Sequence, residues 1–338
     1  MVALDLIYRA GIGLLPVLLF LLVLVYMDSY KLIRLRTVVW VIAFGALAAI
    51  AGYFINAWLQ PALGLGFLGY ARYVAPVTEE ALKALVVIYL FRTHRIGFLV
   101  DSAILGFAVG AGFALVENLY YLQRGTGPSL AVWVIRGFGT AVMHGGTAAL
   151  FGLLGQVLTE RRMRINPLLF LPGFFLAVGF HSLFNHFPGT PILATLGTLV
   201  LIPLALLVAF RQGEASMSRW LRKDFDADAE LIAQIDSAEF SDSHIGRFLH
   251  ELREKFDGLM VVDMLCYLRV YTELAIRAKG VLMAREAGLD IPLDDETRNK
   301  MQELRYLEQS IGSTGLLVMR PFLLMERKDL WQMSVLQK

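Results

Sequence analysis

Long runs of apolar residues dominate the first 210 positions of the chain. Most of these runs contain about 20 mainly apolar residues, which is enough for a helix to cross a hydrocarbon core about 30 Å thick. The first run has no basic segment before it and no small-residue cleavage site, so it predicts a membrane span rather than a signal peptide. The pattern predicts seven spans, at residues 12–27, 37–59, 67–91, 98–122, 129–159, 167–187 and 190–210.

Basic residues in the loops predict the orientation of these spans, because cytoplasmic loops are enriched in Lys and Arg. Alternate loops, together with the segment after the last span, contain twelve such residues, whereas the remaining loops contain three. The rich set is Lys31, Arg34, Arg36, Arg92, Arg95, Arg161, Arg162, Arg164, Arg211, Arg219, Arg222 and Lys223, and the poor set is Arg9, Arg72 and Arg124. The alternation predicts seven spans with the N-terminus outside and the C-terminus in the cytoplasm.

The pattern changes after residue 211. Apolar residues then recur at spacings of three and four, which is typical of amphipathic helices, and the predicted helices cover residues 224–240, 243–256, 259–287 and 296–309. Ser243 is a candidate N-cap, and 312–315 reads as a turn. The fold class is therefore all-α, with a seven-span membrane domain at 1–211 and a helical cytoplasmic domain of unknown role at 212–338.

Composition and charge agree with this division. The chain is 57% hydrophobic and 18% charged, whereas soluble domains contain about 25% charged residues. Residues 1–211 have a net charge of +7 and residues 212–338 a net charge of −5. This balance argues against a nucleic-acid partner and leaves the lipid bilayer as the first predicted partner. The single cysteine, Cys266, excludes an intrachain disulfide and a thiolate metal site.

Polar groups inside the predicted spans are the candidate functional residues. An ionised residue at the centre of a span costs roughly 2.5–3.5 kcal/mol, so these groups must face one another or a water-filled cavity. Asp101 differs from them because it sits at the start of a span, where it is expected to cap the helix. The intramembrane set is Glu79, Glu80, Lys83, Glu117, Asn118, Arg136, His144, His181 and Asn185.

Helical spacing indicates how these groups converge. Lys83 follows Glu80 by three residues and Glu79 by four, so it can lie beside either carboxylate. Adjacent residues point about 100° apart on a helix, so one glutamate is expected to face the site and the other a supporting partner. His181 and Asn185 are four residues apart and share a face. Glycines around these positions permit close packing of the spans.

Three function classes fit this set of residues. A glutamate and imidazoles could activate a water and hydrolyse a peptide bond. The same groups could form a proton or ion pathway in a transporter, or a polar cluster in a non-catalytic membrane scaffold. The sequence has no HExxH zinc motif, and its nearest approximation, His250-Glu251 with Glu254, lies in the tail. It also has no GxSxG motif.

Four sequence blocks, in order along the chain, resemble the PrsW family of intramembrane proteases. Glu79-Glu80-Ala-Leu-Lys83 matches the family's EExxK motif. The stretch 101–121, with Glu117 and Asn118, resembles its second block, Arg136 and His144 match the third, and His181-Ser-Leu-Phe-Asn185 resembles the fourth. The resemblance covers about residues 40–210. The family is related to the type II CAAX prenyl endopeptidases, which have a His where this chain has Glu117.

The resemblance implies an intramembrane endopeptidase in a bacterial plasma membrane. Its substrate would be a membrane protein, such as an anti-sigma-factor-like regulator. The tail lies outside the resemblance and is expected to recruit substrate or to sense a cytoplasmic partner of unknown identity. Glu80 is the first choice for activating the water, and zinc is compatible with the site but not required by it. The implied catalytic set is Glu79, Glu80, Glu117, His144, His181 and Asn185, supported by Lys83, Arg136, Asn118 and Asp101. The metal candidates are Glu80, Glu117, His144 and His181.

Overall fold

The computed structural model describes residues 2–124, 129–160, 166–187, 189–289, 291–323 and 327–336. Every regular element in these ranges is helical, so the all-α prediction is confirmed for the described residues. The chain divides into two compact units between Glu214 and Ala215. Each unit is described by itself below. Among the residues used above to predict orientation, Arg161, Arg162 and Arg164 lie outside the described ranges.

Helices of the first unit follow the apolar runs closely. Several segments contain a short π-helical or 3-10 stretch within the same run. In chain order they are α1 (Val2–Tyr26), α2 (Leu35–Leu63), α3 (Phe67–Gly69), a π-helical turn (Tyr70–Val74), α4 (Ala75–Arg92), α5 (Leu99–Gln123), α6 (Leu130–Val134), a second π-helical turn (Ile135–Thr140), α7 (Ala141–Thr159), a 3-10 turn (Pro167–Phe170), α8 (Leu171–Asn185) and α9 (Pro191–Ile235).

Six helical segments of the described chain are long and apolar enough to cross a membrane. They correspond to six of the seven predicted spans. The segment from Phe67 to Arg92 is also helical, but α4 contains Glu79, Glu80, Lys83 and Arg92, and these charges lower its hydropathy. The described residues thus support six spans from length and composition, and the seventh stays a prediction.

The helix predicted at 224–240 is not a separate helix. The sequence suggested a span ending at residue 210 and a separate tail helix at 224–240, whereas α9 is one helix from Pro191 to Ile235. Gly213 does not end the helix, because its Cα packs so closely that an added Cβ would lie 3.0 Å from Val100 Cγ2. No proline lies between residues 211 and 235, so nothing in that stretch breaks the hydrogen-bond ladder.

α5 forms the centre of the first unit. All residues from 100 to 114 in this helix are buried, and it packs against α1, α2, α4 and α7. Close approach requires glycine at two positions: a Cβ on Gly110 would lie 1.9 Å from the carbonyl oxygen of His144, and one on Gly112 would lie 2.0 Å from that of Ile42. The backbones of α5, α7 and α2 therefore nearly touch, as expected where small residues drive helix packing in lipid.

The second unit contains the end of α9 and four further helices. These are α10 (His244–Leu252), α11 (Gly258–Glu286), α12 (Asp295–Met319) and α13 (Arg327–Val335), with a 3-10 turn at Phe240–Asp242. The Ser243 N-cap is confirmed, because its Oγ accepts from Gly246 N at 3.0 Å. The turn predicted at 312–315 coincides with a kink in α12: Gly312 has a non-helical backbone, with φ at +63°, and two helical stretches meet there.

Candidate active site

The two adjacent glutamates on α4 have different surroundings. Glu80 is 2% exposed, and its Oε1 accepts hydrogen bonds from three side chains on three segments. Lys83 Nζ donates at 2.6 Å, His181 Nδ1 at 2.7 Å and Thr147 Oγ1 at 3.1 Å. Glu79 does not share these three hydrogen bonds, and 16% of its side chain is exposed. One carboxylate thus supports its neighbours while the other stays open, as the helical spacing predicted.

Lys83 links two helices of the cluster. Besides Glu80, its ammonium group donates to His144 Nδ1 at 3.0 Å and to Thr147 Oγ1 at 3.3 Å, both on α7. The side chain is only 1% exposed, and Nζ lies 5.2 Å from the centre of the Phe113 ring. An unpaired charge at this depth would be costly, so α4 and α7 are held together by satisfying it.

His144 has a hydrogen-bond partner at each ring nitrogen. An ammonium group only donates and a carboxylate only accepts, so Nδ1 accepts from Lys83 and Nε2 carries the proton that it donates to Glu117 Oε2 at 2.8 Å. Arg136 donates to the other oxygen of Glu117 at 3.0 Å. These contacts define a neutral His144 between a cation and an anion.

A second set of contacts holds Arg136 in place. Its Nε donates to Asn118 Oδ1 at 2.9 Å, and Asn118 Nδ2 donates to the carbonyl oxygen of Gly13 in α1 at 2.7 Å. The guanidinium carbon lies 3.7 Å from the centre of the Tyr121 ring, a stacking geometry that favours arginine. Arg136 lies in the π-helical turn Ile135–Thr140, and such turns are frequent at functional sites.

The second carboxylate oxygen of Glu79 faces the Nε2 atom of the His181 imidazole. His181 Nδ1 is the donor to Glu80, so in the neutral ring Nε2 has a lone pair. This Nε2 lies 3.8 Å from Glu79 Oε2. Two acceptors therefore face each other, and the arrangement calls for a group between them that either donates two hydrogen bonds or accepts two lone pairs, such as a water or a cation.

Three side chains are arranged as candidate metal ligands. Glu79, His144 and His181 each offer one ligand atom, and these atoms lie within 4.8 Å of one another. Two imidazoles and one carboxylate match the ligands of several catalytic zinc sites, and a carboxylate on the far nitrogen of a ligating His is the usual supporting contact. Glu80 fills that supporting position on His181. By position, the donor set thus fits a zinc ion.

Two residues assigned to the site, Asn185 and Asp101, have described hydrogen bonds to backbone groups. Asn185 Nδ2 donates to the carbonyl oxygen of Ala71 at 2.8 Å, in the π-helical turn before α4. Asp101 caps α5, as expected from its place in the sequence, because its Oδ2 accepts from the backbone N–H groups of Gly97 at 2.8 Å and Phe98 at 3.0 Å. Their described bonds are therefore to backbone groups.

Sequence reasoning missed Asn56 and Thr147. Asn56 on α2 donates to Glu79 Oε1 at 3.2 Å, and Thr147 on α7 bridges Glu80 and Lys83. Asn56 is a polar residue inside an apolar run, which is a signal that could have found it. Thr147 follows His144 by three residues and so shares its face, but a lone threonine in an apolar helix usually bonds its own backbone.

Taken together, the first unit is a bundle of apolar helices with polar, titratable side chains joined at its interior. This architecture defines a helical integral membrane protein with a buried candidate active site. A comparison with protein families matches residues 34–210 to the PrsW family of intramembrane metalloproteases. The match covers more than half of the chain, which therefore belongs to the PrsW family of intramembrane proteases. No curated protein and no solved structure matched the chain.

Proposed function

We propose that this chain is an endopeptidase that cleaves membrane-protein substrates with a water held between Glu79 and His181. The observation that supports this best is the pair of facing acceptors, Glu79 Oε2 and His181 Nε2, 3.8 Å apart. One water can donate to two acceptors at that separation. The contacts of Glu80 give it a supporting role, so Glu79 replaces Glu80 as the preferred group for activating the water.

In the proposed reaction Glu79 acts first as general base and then as general acid, and His181 orients the water. Glu79 Oε2 takes a proton from the water as the water oxygen bonds to the carbonyl carbon of the scissile peptide. His181 Nε2 accepts a hydrogen bond from the other O–H of the water, which stays on the attacking oxygen, and so orients the lone pair of the water toward the carbonyl. The carbon–nitrogen bond then breaks, and the proton passes from Glu79 to the leaving nitrogen. General base and acid steps of this kind contribute about 10²–10⁴-fold in rate.

The remaining polar residues position this pair. Lys83 keeps Glu80 ionised, and Glu80 in turn holds the proton of His181 on Nδ1, leaving Nε2 free to accept. Glu117 keeps the proton of His144 on Nε2. This chain of contacts therefore sets the protonation state of both imidazoles.

Glu79, His144 and His181 would also hold a zinc ion. When bound, such an ion supplies Lewis-acid polarisation and a more acidic water. Both nitrogens of His144 already have partners, Lys83 and Glu117, so a metal at His144 would compete with one of them. Activity that is lost on chelation and restored by zinc would assign the metal-dependent type, and activity unaffected by chelation would assign the glutamic type.

The proposal is tested by comparing wild type with Glu79→Gln and Glu80→Gln. Each variant is co-expressed with single-span membrane proteins, and released fragments are identified by proteomics. Glu79→Gln should abolish cleavage in folded, abundant protein, and Glu80→Gln should reduce it. The exposed Glu286→Gln is the matched control and should behave as wild type. Full activity of Glu79→Gln would contradict the assignment, and flux driven by an ion gradient would then be measured instead.

We also propose the topology indicated by the loop charges: seven spans, including the charged segment 67–92, an external N-terminus and a cytoplasmic tail. Cys266, the single cysteine of the chain, lies in α11 and provides a test without mutation. A membrane-impermeant thiol reagent should label Cys266 only after the cells are permeabilised. Labelling in intact cells would place the tail outside and overturn the proposed orientation.

A further inference from the structure

The side chain of Asn56 binds the oxygen of Glu79 that does not face His181. Asn56 Nδ2 lies 3.2 Å from Glu79 Oε1, whereas Oε2 is the oxygen 3.8 Å from His181 Nε2. Because an ionised carboxylate only accepts hydrogen bonds, the edge of the amide that faces Glu79 must be its NH₂ group. The amide oxygen must then point the other way, toward groups that can donate.

Two hydroxyl groups are in place to donate to that oxygen. Tyr70 Oη lies 2.8 Å from Asn56 Oδ1 and Thr78 Oγ1 lies 2.6 Å from it. Thr78 Oγ1 also lies 3.0 Å from the carbonyl oxygen of Ala75, so its one hydrogen is shared between these two acceptors. Tyr70 is 4% exposed and its bond to Asn56 is partly buried, so this bond is shielded from water in part and is costly to leave unmade. The two bonds oppose a rotation that would exchange the oxygen and nitrogen of the amide and turn the wrong edge toward Glu79.

We propose that Asn56 is a positioning residue for Glu79, held in its working orientation by Tyr70 and Thr78. The inference rests on the proposed function, in which Glu79 Oε2 receives the proton of the water. By binding Oε1, Asn56 fixes the carboxylate plane so that Oε2 faces His181. Asn56 acts through Glu79 and does not touch the substrate, so its loss should lower turnover rather than substrate binding.

The contacts of Tyr70 extend this support to a neighbouring helix. Tyr70 begins the π-helical turn Tyr70–Val74, whose carbonyl oxygens at Ala71 and Arg72 accept from Asn185 Nδ2 at 2.8 Å and Ser182 Oγ at 2.6 Å. The turn is therefore bound by α2 on the side of Asn56 and by α8, the helix of His181. Asn56, which binds Glu79, and α8, which contains His181, therefore both bond to this short turn.

The test compares the kinetics of full-length variants on one cleaved substrate. Asn56→Leu removes all hydrogen bonds of the amide at similar size and should lower kcat about 10–100-fold, the usual effect of losing a supporting contact, with KM within about twofold. Tyr70→Phe leaves Asn56 in place and should lower kcat by a smaller factor. The matched control is Tyr53→Phe, on α2, which removes a hydroxyl from a 44% exposed side chain and should have no effect.

The double variant Asn56→Leu/Tyr70→Phe separates positioning from general loss of packing. Because Tyr70 acts through Asn56, the double variant should be no slower than Asn56→Leu alone, whereas independent packing losses would add. A kcat of Asn56→Leu within twofold of wild type, or a change confined to KM, would overturn the inference. If Asn56→Leu does not fold, Tyr70→Phe is used instead: a lower kcat with KM within about twofold supports the inference, and a change confined to KM overturns it. Glu79→Gln is measured in parallel, and its activity alone tests the proposed function.

Discussion

Each unit of the protein contains one lysine that is almost completely buried. Lys83 in the first unit and Lys279 in the second are both 1% exposed, the lowest exposure among the lysines of the described residues. Each is paired with a carboxylate, Lys83 with Glu80 at 2.6 Å and Lys279 with Asp228 at 2.5 Å. Each ammonium group also lies near an aromatic ring, at 5.2 Å from Phe113 and 5.4 Å from Trp220. The two lysines are therefore alike in their burial and in being paired with a carboxylate.

The two lysines differ in what lies beyond the ion pair. Lys83 also donates to His144, and its partner Glu80 accepts from His181, so both imidazoles of the candidate active site depend on this pair. The described contacts of Lys279 are to Asp228 and the Trp220 ring. A buried lysine therefore does not by itself indicate a functional site. The functional indication comes from titratable side chains connected through it.

The largest difference between the two lysine sites is expected when the Lys83–Glu80 pair is neutralised. Glu80→Gln/Lys83→Met removes both charges together, so no uncompensated charge is left and the fold should survive. Cleavage should nevertheless fall by about 100-fold or more, because both imidazoles lose contacts that fix their protons. The measurement is the cleavage rate per folded protein in detergent. A rate near that of wild type would mean that this pair is as incidental to activity as we infer the second pair to be.

Removing only the lysine of the second pair should affect stability. Lys279→Met leaves Asp228, whose side chain is 18% exposed, without its cation. The free energy of unfolding of this unit should fall by about 2 kcal/mol, the cost of leaving a largely buried charge unmatched. Urea-dependent pulse proteolysis of the full-length protein, followed through a C-terminal tag, measures it. An unchanged urea midpoint would show that the Lys279–Asp228 pair contributes nothing to stability.

Neutralising the second pair completely should have a smaller effect. Asp228→Asn/Lys279→Met leaves no buried charge, and replacing a buried ion pair in this way is often close to neutral. The free energy of unfolding should return to within about 1 kcal/mol of the wild-type value, and cleavage should be unchanged. A large loss of cleavage in this variant, at normal stability, would reveal a functional role for the second unit that its contacts do not indicate.

Local patterns predicted much of the fold. The apolar runs predicted the helices of the first unit because lipid requires long, continuous helical segments. Ser243 and Asp101 were recognisable as caps because capping depends on only a few neighbouring residues. The extent of α9 was missed because Gly213, a frequent end of helices, is used here for close packing against Val100. That contact joins residues more than a hundred positions apart, which local spacing does not encode.

The candidate site was predictable in its members but not in their roles. The sequence predicted Glu79, Glu80, His144 and His181 as site residues because a polar, titratable side chain inside an apolar span would be costly in lipid. Spacing showed that the two glutamates must diverge, but not which one would meet Lys83 and His181 together. That depends on how α4, α7 and α8 are rotated against each other, which is a property of tertiary packing. Asn56 could have been noticed as a polar residue inside an apolar run, but its contact with Glu79 depends on the same packing.

The smallest expected effect concerns an exposed network in the second unit and its response to pH. Burial opposes ionisation of Glu273, but hydrogen bonds from Lys300 at 2.9 Å and Arg269 at 3.1 Å outweigh it and hold its pKa below the ordinary value of 4.5. A carboxylate with a lowered pKa in the folded state contributes stability above its unfolded pKa and loses it as the pH falls below that value.

The urea midpoint of this unit should therefore fall as the pH is lowered from 6 to 4, and Glu273→Gln should flatten part of that dependence. The pairs are partly solvent-exposed and therefore screened by salt, so the difference should shrink at high ionic strength. An equally steep pH dependence in Glu273→Gln would assign the acid response to other carboxylates.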